Sequence, residues 1–464
     1  MLSHLIDPGD IDAGRPAVPV ACVSHGEYEA WLEAQPETTR NWLGDTDFRP
    51  ESGSVGLVPG AAGRLGQVVL GTGEQEPGLW TYAGLPARLP AGAYRLERPG
   101  TQDIASKSAL GWALGGYAFT RYRNDGKTFA DLVWPEGADR AAVSRAASAT
   151  GFVRDLVNTP AGDLGPAELA EAARSLAKEC SATFTVIVGE ALLKKNYPAI
   201  HAVGRAAAQA PRLIDLQWGE ADAPKLTLVG KGVCFDSGGL DLKPPSAMKT
   251  MKKDMGGAAH VLGLASMIMQ AGLDVRLRVL IPAVENAVSG DAYRPLDVVP
   301  TRKGITIEIG HTDAEGRVIL ADALAEASSE TPDLLIDFAT LTGAARVALG
   351  PELPAMFTHD DKLADAFIAS AAAEEDPLWR LPLWRPYRKL IDGKTADLTN
   401  SADTPYAGAI TAALFLSEFV DRQVPHVHFD VMAWNPSARP GRPEGGEAMA
   451  MRAAYAAIAA RFGR

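Results

Sequence analysis

Beyond residue 161 the sequence alternates between short apolar runs typical of strands and longer amphipathic runs typical of helices. Helical patterns cover residues 166–180, 257–270, 318–328, 407–420 and 448–461, and strand patterns cover 183–188, 226–229, 275–284, 305–309, 334–338 and 427–431. A chain that alternates in this way forms a mostly parallel or mixed sheet with helices on both faces. In such sheets, sites form at the carboxyl ends of the strands.

The N-terminal part of the sequence differs from the rest. It is rich in Gly and Pro, has short apolar stretches such as 18–23 and 68–70, and carries no concentrated polar cluster. We therefore predict a small N-terminal α/β domain over residues 1–140 and a linker helix over 141–160, ended by Asn158-Thr159-Pro160. A large α/β domain over 161–464 would follow, with a mixed, mostly parallel sheet flanked by helices.

Composition limits the class of protein. Of 464 residues, 47% are hydrophobic and 22% are charged, as in an average soluble globular protein. The 45 basic and 57 acidic residues give a net charge of −12, and no run of five basic residues occurs, which argues against a protein that works mainly on nucleic acid.

The cysteines and the chain start point to a cellular compartment. Cys22, Cys180 and Cys234 are sparse and widely spaced, which fits a reducing environment and not a disulfide framework. The first residues lack the basic and apolar regions of a secretory signal, and no segment approaches ~18 uninterrupted apolar residues. We therefore predict a cytoplasmic protein that does not span a membrane.

Charged residues gather in three loops of the C-terminal region. These loops read VGKGVCFDSGGLDLKP, KKDMGGAAH and GHTDAEGRVIL. They contribute the carboxylates of Asp236, Asp254, Asp313 and Glu315 and the cations of Lys231, Lys243 and Arg317. Each carboxylate alone could be a helix cap or a turn residue. Four carboxylates at one end of a sheet would repel each other, so they require positive charge nearby.

Divalent metals would supply such charge together with the cationic side chains. Oxygen-rich clusters suit Mg²⁺, Mn²⁺ and Zn²⁺, and two metals that share bridging carboxylates form a known hydrolytic device. A lysine beside such metals would have its pKa lowered by like charge and could bind as a neutral amine. Asp313 and Glu315 are two residues apart, so an extended backbone would turn both to one side, and Gly316 would permit close approach.

These motifs resemble those of the leucyl aminopeptidase family, the cytosol aminopeptidases, which are dinuclear-zinc exopeptidases. The resemblance runs from about Asp155 to the C-terminus and includes RDLVNTPAGDLGP, KDMGGA and ATLTGA. TDAEGR is its most specific element, and the first 140 residues carry no comparable signature. The resemblance implies that residues 161–464 form a metallo-aminopeptidase domain that hydrolyses the N-terminal peptide bond of short peptides.

The resemblance also implies roles for single residues. The more tightly held of two Zn²⁺ or Mn²⁺ ions would be bound by Lys231, Asp236, Asp254 and Glu315. The exchangeable ion would be bound by Asp236, Asp313 and Glu315, with the backbone carbonyl of Asp313. The free α-amine of the substrate would dock on one metal and its scissile carbonyl on the other. Lys243 would stabilise the gem-diolate, and Arg317 would hold a bicarbonate that acts as general base.

Other expectations concern specificity and assembly. Met251, Thr340 and Gly343 match the family's pocket for the N-terminal side chain, whereas Met432 and Trp434-Asn435 depart from the mammalian-type pattern, so a strict leucine preference is in doubt. His311 replaces the usual Asn, and we expect it to shape the loop. Family resemblance implies a homohexamer whose partners are short peptides with a free N-terminus.

Competing interpretations remain open at this stage. A two-metal phosphoesterase could use the same carboxylates with Arg317 as a phosphate clamp. An aminopeptidase with an added DNA-binding regulatory role is a second alternative, although the net charge counts against it. An inactive scaffold is disfavoured, because every motif position holds a competent residue. We expect Cys234 to be a buried hydrophobe and His426 and His428 to serve packing rather than zinc binding.

Overall fold

Residues 2–12, 14–74, 76–123 and 126–463 are described by a computed structural model. The chain divides into two compact units, and the division falls inside helix 140–158. The first unit contains the described residues up to Gly151 and the segment Ser437–Glu444. The second contains Phe152–Pro436 and the described residues from Gly445 onward.

The first unit is built on one sheet. Its strands are β1 Leu5–Ile6, β2 Val18–Ser24, β3 Val55–Pro59, β4 Leu65–Gly73, β5 Ala93–Leu96 and β6 Asp131–Val133. Its helices are α1 Tyr28–Glu33, α2 Glu37–Asp45, α3 Leu79–Tyr82, α4 Leu85–Arg88, α5 Gln102–Gly115 and the start of α6 Arg140–Asn158. The described strands run in the order β1-β6-β5-β2-β4-β3, and they pair in parallel except for β3 with β4.

The second unit contains the remaining elements. Its helices are α7 Pro166–Glu179, α8 Ala191–Lys194, α9 Pro198–Gly204, α10 Pro245–Met248, α11 Gly256–Ala271, α12 Glu315–Ser329, α13 Gly343–Leu349, α14 Asp361–Ala373, α15 Gly408–Ser417 and α16 Met451–Phe462. Its strands are β7 Thr183–Val188, β8 Arg212–Trp218, β9 Lys225–Gly230, β10 Gly232–Asp236, β11 Arg276–Asn286, β12 Val298–Pro300, β13 Thr306–Glu308, β14 Leu334–Ala339, β15 Ala355–Phe357, β16 Trp379–Arg380, β17 Leu398–Thr399, β18 His426–Asp430, β19 Trp434–Asn435 and β20 Gly445–Gly446. Among the described residues, 3₁₀ turns cover Leu2–His4, Pro8–Asp10, Ala61–Gly63, Met251–Met255 and Arg385–Ile391.

The main sheet of the second unit is mixed. Its described strands run β16-β15-β18-β14-β9-β11-β8-β7, and β10 pairs with β11. The central strands β18, β14, β9 and β11 are parallel, whereas β8 and β7 add antiparallel pairs at one edge and β15 pairs antiparallel with β18 at the other. The predicted mixed, mostly parallel sheet is therefore confirmed.

The central elements are buried because they are apolar on all sides. Every residue of β14, LLIDFA, is buried, as is nearly all of helix α11, whose sequence GGAAHVLGLASMIMQA presents no continuous polar face. An element of this kind needs cover on every side, which strands β9 and β14 and helix α16 provide for α11. The rigid centre of this unit therefore supports the strand ends that carry the charged loops.

The structure corrects one sequence argument. Asp313 and Glu315 were expected to face one side because both would lie on extended backbone. Instead Glu315 is the first residue of α12, and Ala314 before it has φ −109° and ψ 38°. The two carboxylates converge because the chain turns into a helix between them. Among the described residues, no helix combines the length and apolar character needed to cross a membrane.

Candidate metal centre and substrate cavity

The end of β10 positions the first carboxylate. Asp236 is the last residue of this strand, and its Oδ1 accepts a hydrogen bond from Gly238 N at 2.9 Å. Gly238 has φ of +90°, a conformation that side-chain-bearing residues rarely adopt. Asp236 is therefore in an Asx turn, which holds its carboxylate at the carboxyl end of β10.

Hydrogen bonds join this loop to the loop before α12. Thr312 donates from Oγ1 to Gly238 O at 2.6 Å, and its backbone N–H donates to Asp241 Oδ2 at 2.8 Å. Asn286, at the end of β11, donates from Nδ2 to Asp236 Oδ1 at 2.8 Å and to Thr312 O at 3.1 Å. These bonds bring the Asp236 and Asp313 loops together across 77 residues of chain.

Asn400 fixes the other side of the loop before α12. Strand β17 pairs in parallel with β13, which places Asn400 beside Gly310. Its Oδ1 accepts from Gly310 N at 2.8 Å and from His311 N at 3.2 Å, and its Nδ2 donates to His311 O at 2.8 Å and to Ala314 O at 3.2 Å. His311 also shapes the loop, because its Nδ1 accepts from Asp313 N at 3.1 Å.

Lys231 lies at the centre of the carboxylate cluster. It follows β9, and its buried Nζ lies 2.7 Å from Asp254 Oδ2, 3.0 Å from Glu315 Oε1 and 2.8 Å from Thr340 O. Thr340 in turn donates from Oγ1 to Asp254 Oδ1 at 2.8 Å. Lys231 therefore joins Asp254, Glu315 and the backbone of Thr340 in one buried cluster.

Lys243 forms a second cationic contact. Its Nζ lies 2.8 Å from Asp236 Oδ2 and also contacts Asp313 Oδ1. The four predicted carboxylates, Asp236, Asp254, Asp313 and Glu315, thus surround two ammonium groups. All the sequence-predicted charged residues of the motifs, apart from Arg317, belong to this one cluster.

Burial and like charge perturb the titration of the cluster. Burial first, and then the neighbouring carboxylate of Asp236, raises the pKa of Glu315 to about 8. Burial and the charge of Asp254 raise the pKa of Asp236 to about 6. Burial acts to lower the pKa of Lys231, but the carboxylates of Asp254 and Glu315 outweigh it and hold the pKa above its usual range. These are carboxylates that need more positive charge than the protein itself supplies.

The donor set fits a divalent metal. One carboxylate oxygen each from Asp236, Asp313 and Glu315 can be chosen so that all three lie within 4.8 Å of one another. Glu315 Oε2 is buried and accepts no hydrogen bond among the described residues. Such an oxygen is costly unless a cation or a donor meets it. Hard and borderline ions such as Mn²⁺ and Zn²⁺ prefer this ligand chemistry.

Arg317 lies in the first turn of α12 and lines the same cavity. Its guanidinium is buried, Nη1 donates to Asn400 O at 2.7 Å, and Nε donates to no acceptor among the described residues. Burial lowers the pKa of Arg317 to about 10, against the opposing effect of Glu315. A buried guanidinium with an unused N–H is suited to hold a small anion.

A cavity of about 620 Å³ opens over the cluster. It is lined by most of the residues predicted for metal, catalysis and substrate, namely Lys231, Asp236, Lys243, Met251, Asp254, Asp313, Arg317, Thr340, Gly343 and Met432. The cavity is large enough for a short peptide. The four residues predicted for the substrate pocket therefore share one cavity with the charged cluster.

Sequence reasoning missed several residues of the site. Asn286 and Asn400 hold the loops by long-range hydrogen bonds, and no local pattern marks either residue. Lys253 and Arg346 also line the cavity. Lys253 is buried, and its pKa is lowered by burial to about 8, whereas Asp254 acts to raise it. Its position directly before Asp254 in KKDMGG was the available signal, but a lysine pair is common on solvated surfaces.

The candidates set aside at the sequence level lie outside the cavity lining. Cys234 is buried, and its Sγ lies 3.8 Å from Gly232 O. His426 Nε2 and His428 Nδ1 lie 2.7 and 2.6 Å from the two oxygens of the buried Asp337. The two histidines of β18 therefore contact the same carboxylate on the neighbouring strand β14, and this contact packs the two strands together within the sheet.

Comparison with known proteins connects this site to a family. Residues 151–455 match the catalytic domain of the cytosol aminopeptidase family, and residues 18–135 match the N-terminal domain of M17 aminopeptidases. A probable cytosol aminopeptidase from Roseiflexus castenholzii is 40% identical over 369 residues, 76% of this chain and 75% of that protein. A peptidase B from Pectobacterium carotovorum is 42% identical over 359 residues, 75% of this chain and 82% of that protein.

Solved structures agree with these relatives. A crystal structure of cytosol aminopeptidase from Coxiella burnetii superposes with a TM-score of 0.94 at 50% identity, and it covers 97% of this chain and 99% of that chain. The bottromycin maturation enzyme BotP in complex with Mn superposes with a TM-score of 0.87 at 35% identity, over 96% of this chain and 100% of that one.

The fold, the acidic cluster and the cavity together define a metal-dependent peptide hydrolase of the α/β class. This chain belongs to the cytosol aminopeptidase family, and it is an aminopeptidase. The resemblance drawn from GKGVCFDSGGLDLKP and TDAEGR is confirmed. The comparisons give no support to a phosphoesterase or to an added DNA-binding role.

Proposed function

We propose that this aminopeptidase removes the N-terminal residue of short peptides with two divalent metal ions held in the acidic cluster. Lys231, Asp236, Asp254 and Glu315 would hold one ion, and Asp236, Asp313 and Glu315 would hold the other. The observation that carries the proposal is the convergence of three carboxylate oxygens within 4.8 Å beside the Lys231 ammonium. When bound, such ions polarise the scissile carbonyl and lower the pKa of a water molecule.

The chain's own residues have separate tasks in this proposal. Asp236 and Glu315 would each be a ligand of both ions. Glu315 lies 3.0 Å from the Lys231 ammonium, Asp236 lies 2.8 Å from the Lys243 ammonium, and both contribute an oxygen to the group of three within 4.8 Å. Thr340 fixes Asp254 through its hydroxyl group, and Asn286 fixes Asp236 through its amide. Ligands held in this way lose little freedom when a metal binds.

In this proposal Lys243 would stabilise charge on the substrate. Its ammonium contacts Asp236 and Asp313, and all three residues line the cavity. With these carboxylates holding metal, the ammonium would be able to donate to the oxygen of the scissile carbonyl. A donor aimed at the developing negative charge stabilises the transition state more than the bound substrate.

In this proposal Arg317 would hold a bicarbonate ion. Its buried guanidinium lines the cavity and keeps an unused N–H on Nε. A bound bicarbonate supplies a basic oxygen that can accept a proton. Asn400, through the bond from Arg317 Nη1 to its backbone oxygen, sets the direction of the guanidinium.

Metal replacement tests this function. The protein is stripped with a chelator, Zn²⁺, Mn²⁺, Co²⁺ or Mg²⁺ is restored separately, and aminoacyl amides with free and acetylated N-termini are assayed. We expect activity to return with Zn²⁺ or Mn²⁺ and only with the free amine, because the amine must ligate. Turnover of acetylated substrates, or activity in the stripped protein, would refute the mechanism.

The metal stoichiometry and the assembly are part of the same proposal. We expect two ions per chain by elemental analysis, falling to one or none in Asp236→Asn. We also propose a homohexamer that acts in the cytoplasm on short peptides, which light scattering and cell fractionation would test. A monomer with full activity would contradict the proposed assembly and leave the chemistry intact.

A further inference from the structure

Two cations line the cavity without belonging to the metal cluster. Lys253 lies in the 3₁₀ turn Met251–Met255, and its side chain is buried, whereas Arg346 lies in the exposed part of α13. Both are cavity-lining residues. Asp430 lines the same cavity, so these three charged side chains surround one space.

Neither cation has an acidic partner among the described residues. Lys253 forms no ion pair there, and Arg346 contacts the sulfur of Met432 from Nη1 at 3.8 Å. A buried ammonium without a counter-ion is costly, because burial removes its water. Lys231 and Lys243, by contrast, are each paired with two carboxylates.

The carboxylate of Asp430 is committed elsewhere. Its Oδ1 accepts from Leu341 N at 3.1 Å and from Thr342 N at 3.2 Å, and its Oδ2 accepts from Thr342 Oγ1 at 2.6 Å. These bonds hold the loop between β14 and α13. Asp430 therefore leaves Lys253 and Arg346 available to a ligand that brings its own negative charge.

The position of the two cations indicates which part of a substrate they meet. They share the cavity wall with Met251, Thr340, Gly343 and Met432, the residues expected to surround the side chain of the N-terminal residue. Arg346 touches Met432 directly. A substrate side chain in that pocket would therefore approach the cations, while the backbone amine and carbonyl lie over the acidic cluster.

We propose that Lys253 and Arg346 make this aminopeptidase selective for peptides whose N-terminal side chain carries a carboxylate, Glu or Asp. The inference rests on the proposed function and assigns the substrate class of that site. The carboxylate supplies the direct ion-pair partner that neither cation has among the described residues, and hydrogen bonds between ions are stronger than those between neutral groups. The amide side chain of Gln has the same shape and no charge, so it isolates this contribution.

The experiment compares kcat/KM for Glu, Gln, Asp, Asn and Leu p-nitroanilides on the metal-loaded protein. We expect Glu to exceed Gln by about tenfold or more, the range of one charge-assisted hydrogen bond. Lys253→Met and Arg346→Gln should each reduce the Glu to Gln ratio several-fold, and Lys253→Arg should retain most of it. A ratio of one in the native protein would overturn the proposal.

Control variants separate local charge from general charge. Lys249→Met removes an exposed lysine that does not line the cavity and should leave the Glu to Gln ratio unchanged. Metal content and unfolding temperature identify a variant that does not fold, and the exposed Arg346 provides a test that does not depend on a core substitution. An equal loss of the ratio in Lys249→Met would overturn the assignment.

A dipeptide substrate also carries a carboxylate at its C-terminus, and the effect of that group must be separated from the effect of the side-chain carboxylate. Leu-Gly is therefore compared with Leu-Gly amide in the same variants. If Lys253→Met changes this pair and not the Glu to Gln pair, the proposal is overturned. If Leu amides are cleaved but Glu is not favoured, only this inference fails, whereas no turnover of any substrate refutes the proposed function.

Discussion

At the scale of single residues, Lys243 offers the most direct test of the proposed chemistry. Its Nζ lies 2.8 Å from Asp236 Oδ2, and the residue lines the cavity. Lys243→Ala should lower kcat by about 10²–10³-fold with little change in KM, because the lost bond matters mostly in the transition state. Steady-state kinetics on Leu amides measures both constants, and Lys249→Ala is the matched control. An unchanged kcat would remove Lys243 from the mechanism.

The pKa of Glu315 predicts how the metal-free protein responds to pH. Burial raises this pKa from 4.5 to about 8, so the folded state binds the proton more tightly than the unfolded state. The stability that this group contributes is present below about pH 4.5 and is lost as pH rises towards 8. Glu315→Gln imitates the protonated form. In chelator, its unfolding temperature should exceed that of the native protein by a few degrees at pH 8.

Thermal unfolding of both proteins from pH 5 to pH 8 measures this effect. The difference between them should shrink towards pH 5, where Glu315 is protonated in the native protein as well. Glu179→Gln changes an exposed glutamate and should show no such trend. A constant difference across the whole range would contradict the assigned pKa.

The charged residues of the site could be identified from the sequence because they lie in short contiguous motifs. Lys231, Asp236 and Lys243 come from one loop, and Asp313, Glu315 and Arg317 come from another. The supporting residues were not identifiable in this way. Asn400 meets the loop before α12 only because β17 pairs with β13, and that pairing is a long-range property of the fold.

At the scale of elements, the start of α12 packs closely against the side chain of Lys231. A Cβ built on Gly316 would lie 2.6 Å from Lys231 Cε and 2.8 Å from Lys231 Nζ. The helix can pass over the lysine only because this position has no side chain. Gly316→Ala should displace Lys231 and lower metal affinity by about tenfold or more, as loss of a supporting contact does in metal sites.

Metal affinity in the Gly316 variant is measured by competition with a chromophoric chelator, and circular dichroism checks that the fold is kept. Gly290→Ala is the control, because a Cβ at Gly290 would meet no atom within 4 Å. Equal metal affinity in Gly316→Ala and the native protein would show that Lys231 is not held by the close passage of α12.

The elements themselves were predictable to different degrees. Long apolar or amphipathic patterns, such as those of α11 and β14, were located in the sequence because hydrophobic periodicity is a local property that does not depend on tertiary contacts. Strand β8, sequence RLIDLQW, was not predicted, since its polar residues break the pattern and its place is set by antiparallel pairing with β11. The six strands of the first unit are short, and their order depends on contacts between distant segments.

At the scale of the whole molecule, the net charge of −12 includes carboxylates whose charge the fold concentrates in one cavity. Concentrated like charge opposes folding, and the two lysines of the cluster offset only part of it. The metal ligands proposed here all belong to the second unit, between Phe152 and Pro436. Binding of metal should therefore stabilise the folded chain as well as activate it.

Metal titration of the stripped protein tests this coupling. A ligand that binds only the folded state contributes about 2.7 kcal/mol when its free concentration is 100 times its dissociation constant. For a chain of this size, we expect the unfolding temperature to rise by about 3 °C, measured by calorimetry at increasing Zn²⁺ or Mn²⁺. Gly290→Ala should show the full rise and Glu315→Gln a smaller one, because Gln cannot supply the anionic ligand. A rise of equal size in both variants would mean that the stabilising metal binds outside the acidic cluster.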